Sequence, residues 1–162
     1  MKPYLLAALV CLLSLPAFAQ CYPGETQVLA CSARNGTKEI SLCIAGDTIR
    51  YSYGKPGLRP ELILSEPITT VAHQPWGGVG RAIWEATTLH NGAFSYEIYA
   101  SVDRMAEENP ESGGVSVYNG NQHVTDVACD VGQIDLTLWA VQDAKEAAGM
   151  CWRHETQTWG DC

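Results

Sequence analysis

The sequence has no apolar run long enough to cross a bilayer. Its longest, Leu5 to Leu15, is broken by Ser14 and is about half of the ~20 residues that a spanning helix requires. Positive charge is scarce as well: 10 Lys and Arg stand against 18 Asp and Glu, a formal net of −8. Nucleic acids and anionic membrane surfaces both attract basic patches, so this balance argues against either as a partner. It suits a basic protein partner, or serves solubility alone. Catalytic signatures are missing too. There is no G-x-S-x-G for a nucleophile elbow and no H-E-x-x-H for zinc. His73, His90, His123 and His154 are scattered and read as loop or strand-surface residues. Gly77-Gly78-Val79-Gly80 has neither the Walker lysine nor G-x-G-x-x-G spacing, and no helix is expected after it. The acids ensure some close carboxylate pairs, yet no spacing nominates one for glycoside hydrolysis. The chain reads as a non-enzyme, with a hydrolase as the last alternative, and no cofactor or metal is expected.

What is present begins with an export signal. Lys2 precedes the apolar run, Pro16 follows it, and Ala17-Phe18-Ala19 carries small residues where a signal peptidase reads them. Cleavage is expected after Ala19. Gln20 stands before Cys21, where lipid attachment needs a small residue, so a periplasmic or secreted protein without a lipid anchor is expected. Residues 20–162 remain, 143 residues (162 less 19), a size that suits one domain with a core of its own. Lys2 leaves with the signal, so 9 basic residues (10 less 1) face 18 acidic ones.

Cys11 also leaves, and Cys21, Cys31, Cys43, Cys129, Cys151 and Cys162 remain. An even count in an oxidising compartment reads as three disulfides, for which six cysteines allow fifteen pairings. Cys151 with Cys162 would close a short C-terminal loop. Cys31 and Cys43 flank a predicted hairpin, which would leave Cys21 to join Cys129. A metal site is the competing reading, but no cysteines show C-x-x-C spacing.

The body alternates β-prone runs with turn signals. Strands are expected over 26–33, 39–45, 48–53, 60–64, 81–90, 93–101, 114–118 and 122–129. Asn35-Gly36, Asn91-Gly92 and Asn119-Gly120 punctuate them, and Asn-Gly between apolar runs is a strong hairpin signal. An α-helix is expected over 136–150, where Leu138, Val141, Ala144 and Ala148 recur at helical spacing and Gly149 ends the run. The fold class is therefore all-β: a small antiparallel barrel or sandwich of about eight strands, with one C-terminal helix. The segment 103–113 reads as an acidic solvated loop, and the tail 151–162 as too short to order itself without its disulfide.

A two-residue loop at Asn91-Gly92 would set His90 opposite Ala93 and Trp84 opposite Tyr99. One face would then carry Ile83, Thr87, Leu89, Phe94, Tyr96, Ile98 and Ala100 as core, with Glu85 at its rim. The other face would hold a Trp84–Tyr99 pair, equally suited to binding or to bracing a sheet. The segment His73–Arg81 is a Gly-rich loop that displays Trp76, or folds it back over the end of the barrel. Trp76, Arg81, Trp84 and Tyr99 are the candidate partner-binding residues, because Trp, Tyr and Arg are the usual anchors of protein interfaces. Tyr118 is an outlying candidate.

Two stretches carry a resemblance. Cys31, Asn35-Gly36, Lys38-Glu39-Ile40-Ser41-Leu42-Cys43, Tyr51-Ser52-Tyr53-Gly54 and Pro60-Glu61-Leu62 form the first. Asn91-Gly92-Ala93-Phe94-Ser95-Tyr96-Glu97-Ile98-Tyr99 and Gly114-Val115-Ser116-Val117 form the second. Over residues 25–130 the pattern resembles a family of small exported proteobacterial β-proteins of unassigned function, which implies fold and export. A looser likeness is to the periplasmic inhibitors of lysozyme, disulfide-bonded β-barrels that insert a loop into a muramidase cleft. Their S-G-x-x-Y signature is not reproduced: after Ser112-Gly113, Tyr118 arrives two residues late, so no inhibitory residue carries over. The expectation is an exported, non-catalytic protein-binding domain, with inhibition of a cell-wall hydrolase as its sharpest form. An immunity protein against a periplasmic toxin and a structural envelope accessory are the alternatives.

Overall fold

Glycine starts the tightest turns of this chain. The computed structural model describes residues 21–108 and 110–162; the expected signal, residues 1–19, lies outside the described residues. Strand β1 (Thr26–Ala33) leads through a four-residue turn into β2 (Lys38–Ala45), followed by β3 (Thr48–Gly54) and β4 (Leu62–Pro67). Then come β5 (Ala72–Gln74), β6 (Ala82–Asn91), β7 (Phe94–Asp103), β8 (Glu111–Asn119) and β9 (Gln122–Leu136). Helix α1 (Ala140–Ala147) and the strands β10 (Met150–Arg153) and β11 (Thr158–Asp161) complete the described chain.

Nine strands form one antiparallel sheet in the order β4-β3-β2-β1-β9-β8-β7-β6-β5. Two meanders thus run outward from the middle, and the β1–β9 pairing joins them. The edges β4 and β5 are linked by residues 68–71 alone. Five backbone steps reach about 18 Å, whereas eight inter-strand spacings in a flat sheet would separate its edges by about 38 Å. The sheet must therefore roll, and it forms a curled half-barrel. Glu66 on β4, close to that link, adds a contact across the closure, where its Oε1 accepts the His90 amide at 2.7 Å. Ile68 and Val71 of the link are buried inside with Leu29, Ile40, Ile49, Tyr51, Leu89 and Val141.

The all-β class, the C-terminal helix and the three disulfides agree with the sequence reading, and several details differ. The disulfides are Cys21–Cys43, Cys31–Cys129 and Cys151–Cys162, so the expected Cys31–Cys43 and Cys21–Cys129 pairs are corrected. The β1–β2 register explains this: Cys31 faces Ile40, and Cys43 faces Gln27. Cys31 instead meets β9 where the register shifts, next to Ala33 opposite Cys129. That irregularity carries Asp130, whose carboxylate accepts Ser32 Oγ at 2.9 Å and the amides of Asn35 and Gly36 at 2.9 and 2.8 Å.

The β6–β7 hairpin turns one residue later than expected. Gly92 and Ala93 form its loop, with φ of 61° at Gly92 and no positive φ at Ala93. That sign pattern belongs to a type II′ turn, in which only the first loop residue is left-handed. Trp84 therefore faces Ser101, and Tyr99 faces Ala86. A two-residue slip preserves side-chain parity, so Thr87, Leu89, Ile98 and Ala100 are buried as expected. Phe94, at the strand end, is exposed, and Glu85 is 5 % exposed rather than at the rim. His73 is likewise a buried residue of β5, not a loop or surface histidine. Strand β4 begins at Leu62 rather than Pro60, and β9 continues to Leu136, paired with Leu29. Because β9 takes that length and Trp139 turns left-handed at φ 67°, the helix spans Ala140–Ala147 only. The tail is an ordered hairpin that places Trp152 opposite Trp159.

Candidate functional site

The C-terminal hairpin docks against the β5 edge of the sheet. Trp159 Nε1 donates to the His73 carbonyl at 2.8 Å, and the Cys162 amide donates to Gly149 O at 3.0 Å. An edge strand presents unpaired backbone groups, and this contact satisfies one of them. The cross-strand pair Trp152–Trp159, with centroids 5.5 Å apart, stiffens the hairpin.

Two clefts flank that hairpin. One, of about 370 Å³, lies against the β5–β6 edge and is lined by His73, Ala86, Thr88, Lys145, Trp152 and Trp159 among others. The second, of about 450 Å³, opens between the hairpin, helix α1 and the β5–β6 loop. Its walls include Trp76, Trp139 and Trp152, with Gln142, Glu146 and His154 as polar groups. Four of the five tryptophans of the chain thus border one or both clefts.

The second cleft is held in shape by an unusual backbone. Trp139 precedes helix α1 with φ 67° and ψ −6°. A bulky residue in that conformation is an outlier that costs on the order of 1–3 kcal/mol. Its amide is held by Glu85, whose Oε2 accepts it at 3.0 Å from inside the core. Glu85 Oε1 is buried without a hydrogen-bond partner. Burial pushes the Glu85 carboxyl up to about 6; the Trp139 amide opposes that rise and the Asp143 charge adds to it. Trp139 itself is 39 % exposed, so the strained residue presents its indole to the cleft.

Beside Glu85 on the same sheet face is Thr87, whose hydroxyl lies 3.0 Å from His73 Nδ1. Burial pushes His73 down to about 4, the nearby Lys145 lowers it further, and a backbone contact with Ala86 opposes this. His73 Nε2 has no partner. Lys145 is 1 % exposed, its pKa lowered by burial. Its Nζ donates to Ile68 O at 2.8 Å, lies 5.3 Å from the Trp159 ring centroid, and so ties helix, link and hairpin together.

The sequence-nominated residues divide between this site and the sheet. Trp76 reaches the second cleft while its indole N–H closes the Gly-rich loop on Val79 O at 3.1 Å. Trp76 is thus tied to its own loop and borders an open cleft. Arg81 is exposed and bound to Asp103, with Nε to Oδ1 at 2.6 Å. The Arg104 guanidinium joins the two, 5.2 Å from the Trp76 centroid and donating from Nε to Arg81 O at 3.2 Å. Trp84, 41 % exposed, is on the outer face of β6. Tyr99 is half-buried on that same face and covers Gly114, where a Cβ would stand 2.7 Å from its hydroxyl. Tyr118 is at the far end of β8, edge-on to His123.

Trp139, Trp152, Glu146 and the buried Glu85 were not nominated by sequence reasoning. The one available signal was the spacing of Trp152 and Trp159 within a Cys-closed tail, which fits a short hairpin. For metals, one group of converging ligand types occurs among the described residues, Cys21, Glu25 and Cys43. Its two cysteines are disulfide-bonded to one another and offer no thiolate.

The fold defines a curled, disulfide-bonded antiparallel half-barrel with a helix and hairpin packed at one edge. No family model, curated protein or solved structure matches the chain.

Proposed function

We propose that this chain is an exported, non-catalytic domain that binds a protein partner through the tryptophan-lined cleft beside its C-terminal hairpin. The observation that carries the reading is the convergence of Trp76, Trp139 and Trp152 on one open cleft framed by rigid elements. Tryptophans supply large contact area with few rotatable bonds, and pre-set walls spare the complex much of the ordering entropy. The three disulfides suit an oxidising compartment such as the periplasm. Among the described residues no helix is long and apolar enough to cross a membrane. A net charge of −8 favours encounter with a basic partner. The sharpest form of the reading is inhibition of a cell-wall hydrolase, since basic lysozymes meet that charge requirement.

The test is capture from a periplasmic extract supplemented with lysozymes, using the oxidised chain 20–162 beside Trp76→Ala and Trp139→Ala variants. A protein retained by the wild type and lost by both variants supports the reading, and loss of muramidase activity in the same mixture makes the chain an inhibitor. If nothing specific is retained at micromolar protein, the binding reading falls in favour of an accessory role in the envelope.

A further inference from the structure

We infer that the Trp76–Trp139–Trp152 cleft is a receptor for a guanidinium group, so that an arginine side chain of the partner enters it; this rests on the protein-binding reading above. The polar side of the cleft sets the ligand's chemistry. Gln142 and Glu146 stand one helical turn apart on α1, and the Gln142 amide nitrogen donates to Glu146 Oε1 at 2.9 Å. That bond uses a donor of the pair and orients the carboxylate. The Gln142 carbonyl and Glu146 Oε2 take no part in that bond and are acceptors by their chemistry, on two residues that line the cleft. His154 lines the same cleft.

A cleft lined by three tryptophans together with a glutamate and a glutamine is complementary to a flat cation that carries only donors. Guanidinium is that group: it stacks on aromatic faces and offers its N–H bonds in one plane. The chain shows the pairing within itself. Arg104 packs its guanidinium 5.2 Å from the Trp76 centroid, and Arg50 does the same 4.4 Å from Tyr22. A neutral sugar could also stack on tryptophan, but it gains nothing from Glu146 or from the chain's net charge of −8. The left-handed Trp139, clamped from beneath by Glu85, keeps one wall in place before any ligand arrives.

The experiment titrates the oxidised chain 20–162 with three probes while tryptophan fluorescence is followed. They are blocked Gly-Arg-Gly, the same peptide with neutral citrulline in place of arginine, and chitotetraose. We expect saturable binding of the arginine peptide, weakened about tenfold by the citrulline exchange and about fivefold by Glu146→Gln. Trp152→Ala should abolish it, and Trp84→Phe should leave it unchanged. Gln142→Ala serves as a second cleft variant should Glu146→Gln melt early. Equal binding of the arginine and citrulline peptides overturns the inference, as does binding of chitotetraose without the arginine peptide. The two readings fail separately. A partner captured equally by wild type and Glu146→Gln, with no arginine preference, overturns the guanidinium site and leaves protein binding standing. Arginine binding with no captured protein does the reverse.

Discussion

The carboxylate of Glu85 on β6 accepts the backbone amide of Trp139 at 3.0 Å, across 54 positions of sequence. A buried acid thereby holds a strained tryptophan at the mouth of a cleft. If Trp139 is kept for its indole rather than for stability, the two roles separate on substitution. Trp139→Gly adopts φ 67° freely and should leave stability within about 1 kcal/mol of wild type. Trp139→Ala keeps the strain without the side chain and should be the less stable of the two. Both should lose partner capture. Urea midpoints beside the capture assay check this.

Glu85 also gives a pH signature. Its folded pKa of about 6 lies above the ordinary 4.5, so the native state binds the proton more tightly than the unfolded chain. Its contribution is full below about 4.5 and is lost as pH rises through 6, about 2 kcal/mol in all. His73 acts oppositely over an overlapping range. With a folded pKa of about 4 against 6.5, it favours the native state above 6.5 and withdraws about 3 kcal/mol as pH falls to 4. The wild type should therefore lose only about 1 kcal/mol between pH 7 and 4 from this pair. Glu85→Gln should steepen that loss and raise stability at pH 7.5, whereas His73→Gln should reverse its sign. Urea unfolding across pH 4–8 reads all three.

The disulfides should differ in consequence as well as in size. Cys31–Cys129 closes a separation of 98 residues and Cys151–Cys162 one of 11. Loop-closure entropy alone assigns them about 5 and about 3 kcal/mol. Replacing Cys31 and Cys129 by alanine should lower the melting temperature most. Replacing Cys151 and Cys162 should leave the sheet's amide protection intact, while the hairpin exchanges quickly and capture is lost.

Gly114 tests the register of the central sheet. A Cβ there would stand 2.5 Å from Val127 O and 2.7 Å from the Tyr99 hydroxyl. Gly114→Ala should cost about 2 kcal/mol or more in thermal melts, while Gly24→Ser, in open space but at φ 93°, should cost less.

Much of this sheet was legible because alternation and turn residues are local. Thr87, Leu89, Ile98 and Ala100 kept their face although the hairpin turned one residue later, since parity survives an even slip. The cysteine pairing was not legible, because Cys31 meets Cys129 only once β9 has returned beside β1, a contact set by topology. Glu85 and His73 escaped for a related reason: nothing near them in sequence announces that α1 and the hairpin will cover that end of the sheet. Trp76 was found because a Gly-rich loop marks it, whereas Trp139 takes its left-handed turn from a carboxylate 54 positions away.

The most direct test follows the indole N–H signals of the five tryptophans in a ¹⁵N-labelled chain as a basic lysozyme is added. The account predicts that Trp76, Trp139 and Trp152 shift or broaden together at low salt, that Trp84 stays in place, and that Glu146→Gln weakens the response. Shifts confined to Trp84, or none at all up to millimolar lysozyme, would contradict it.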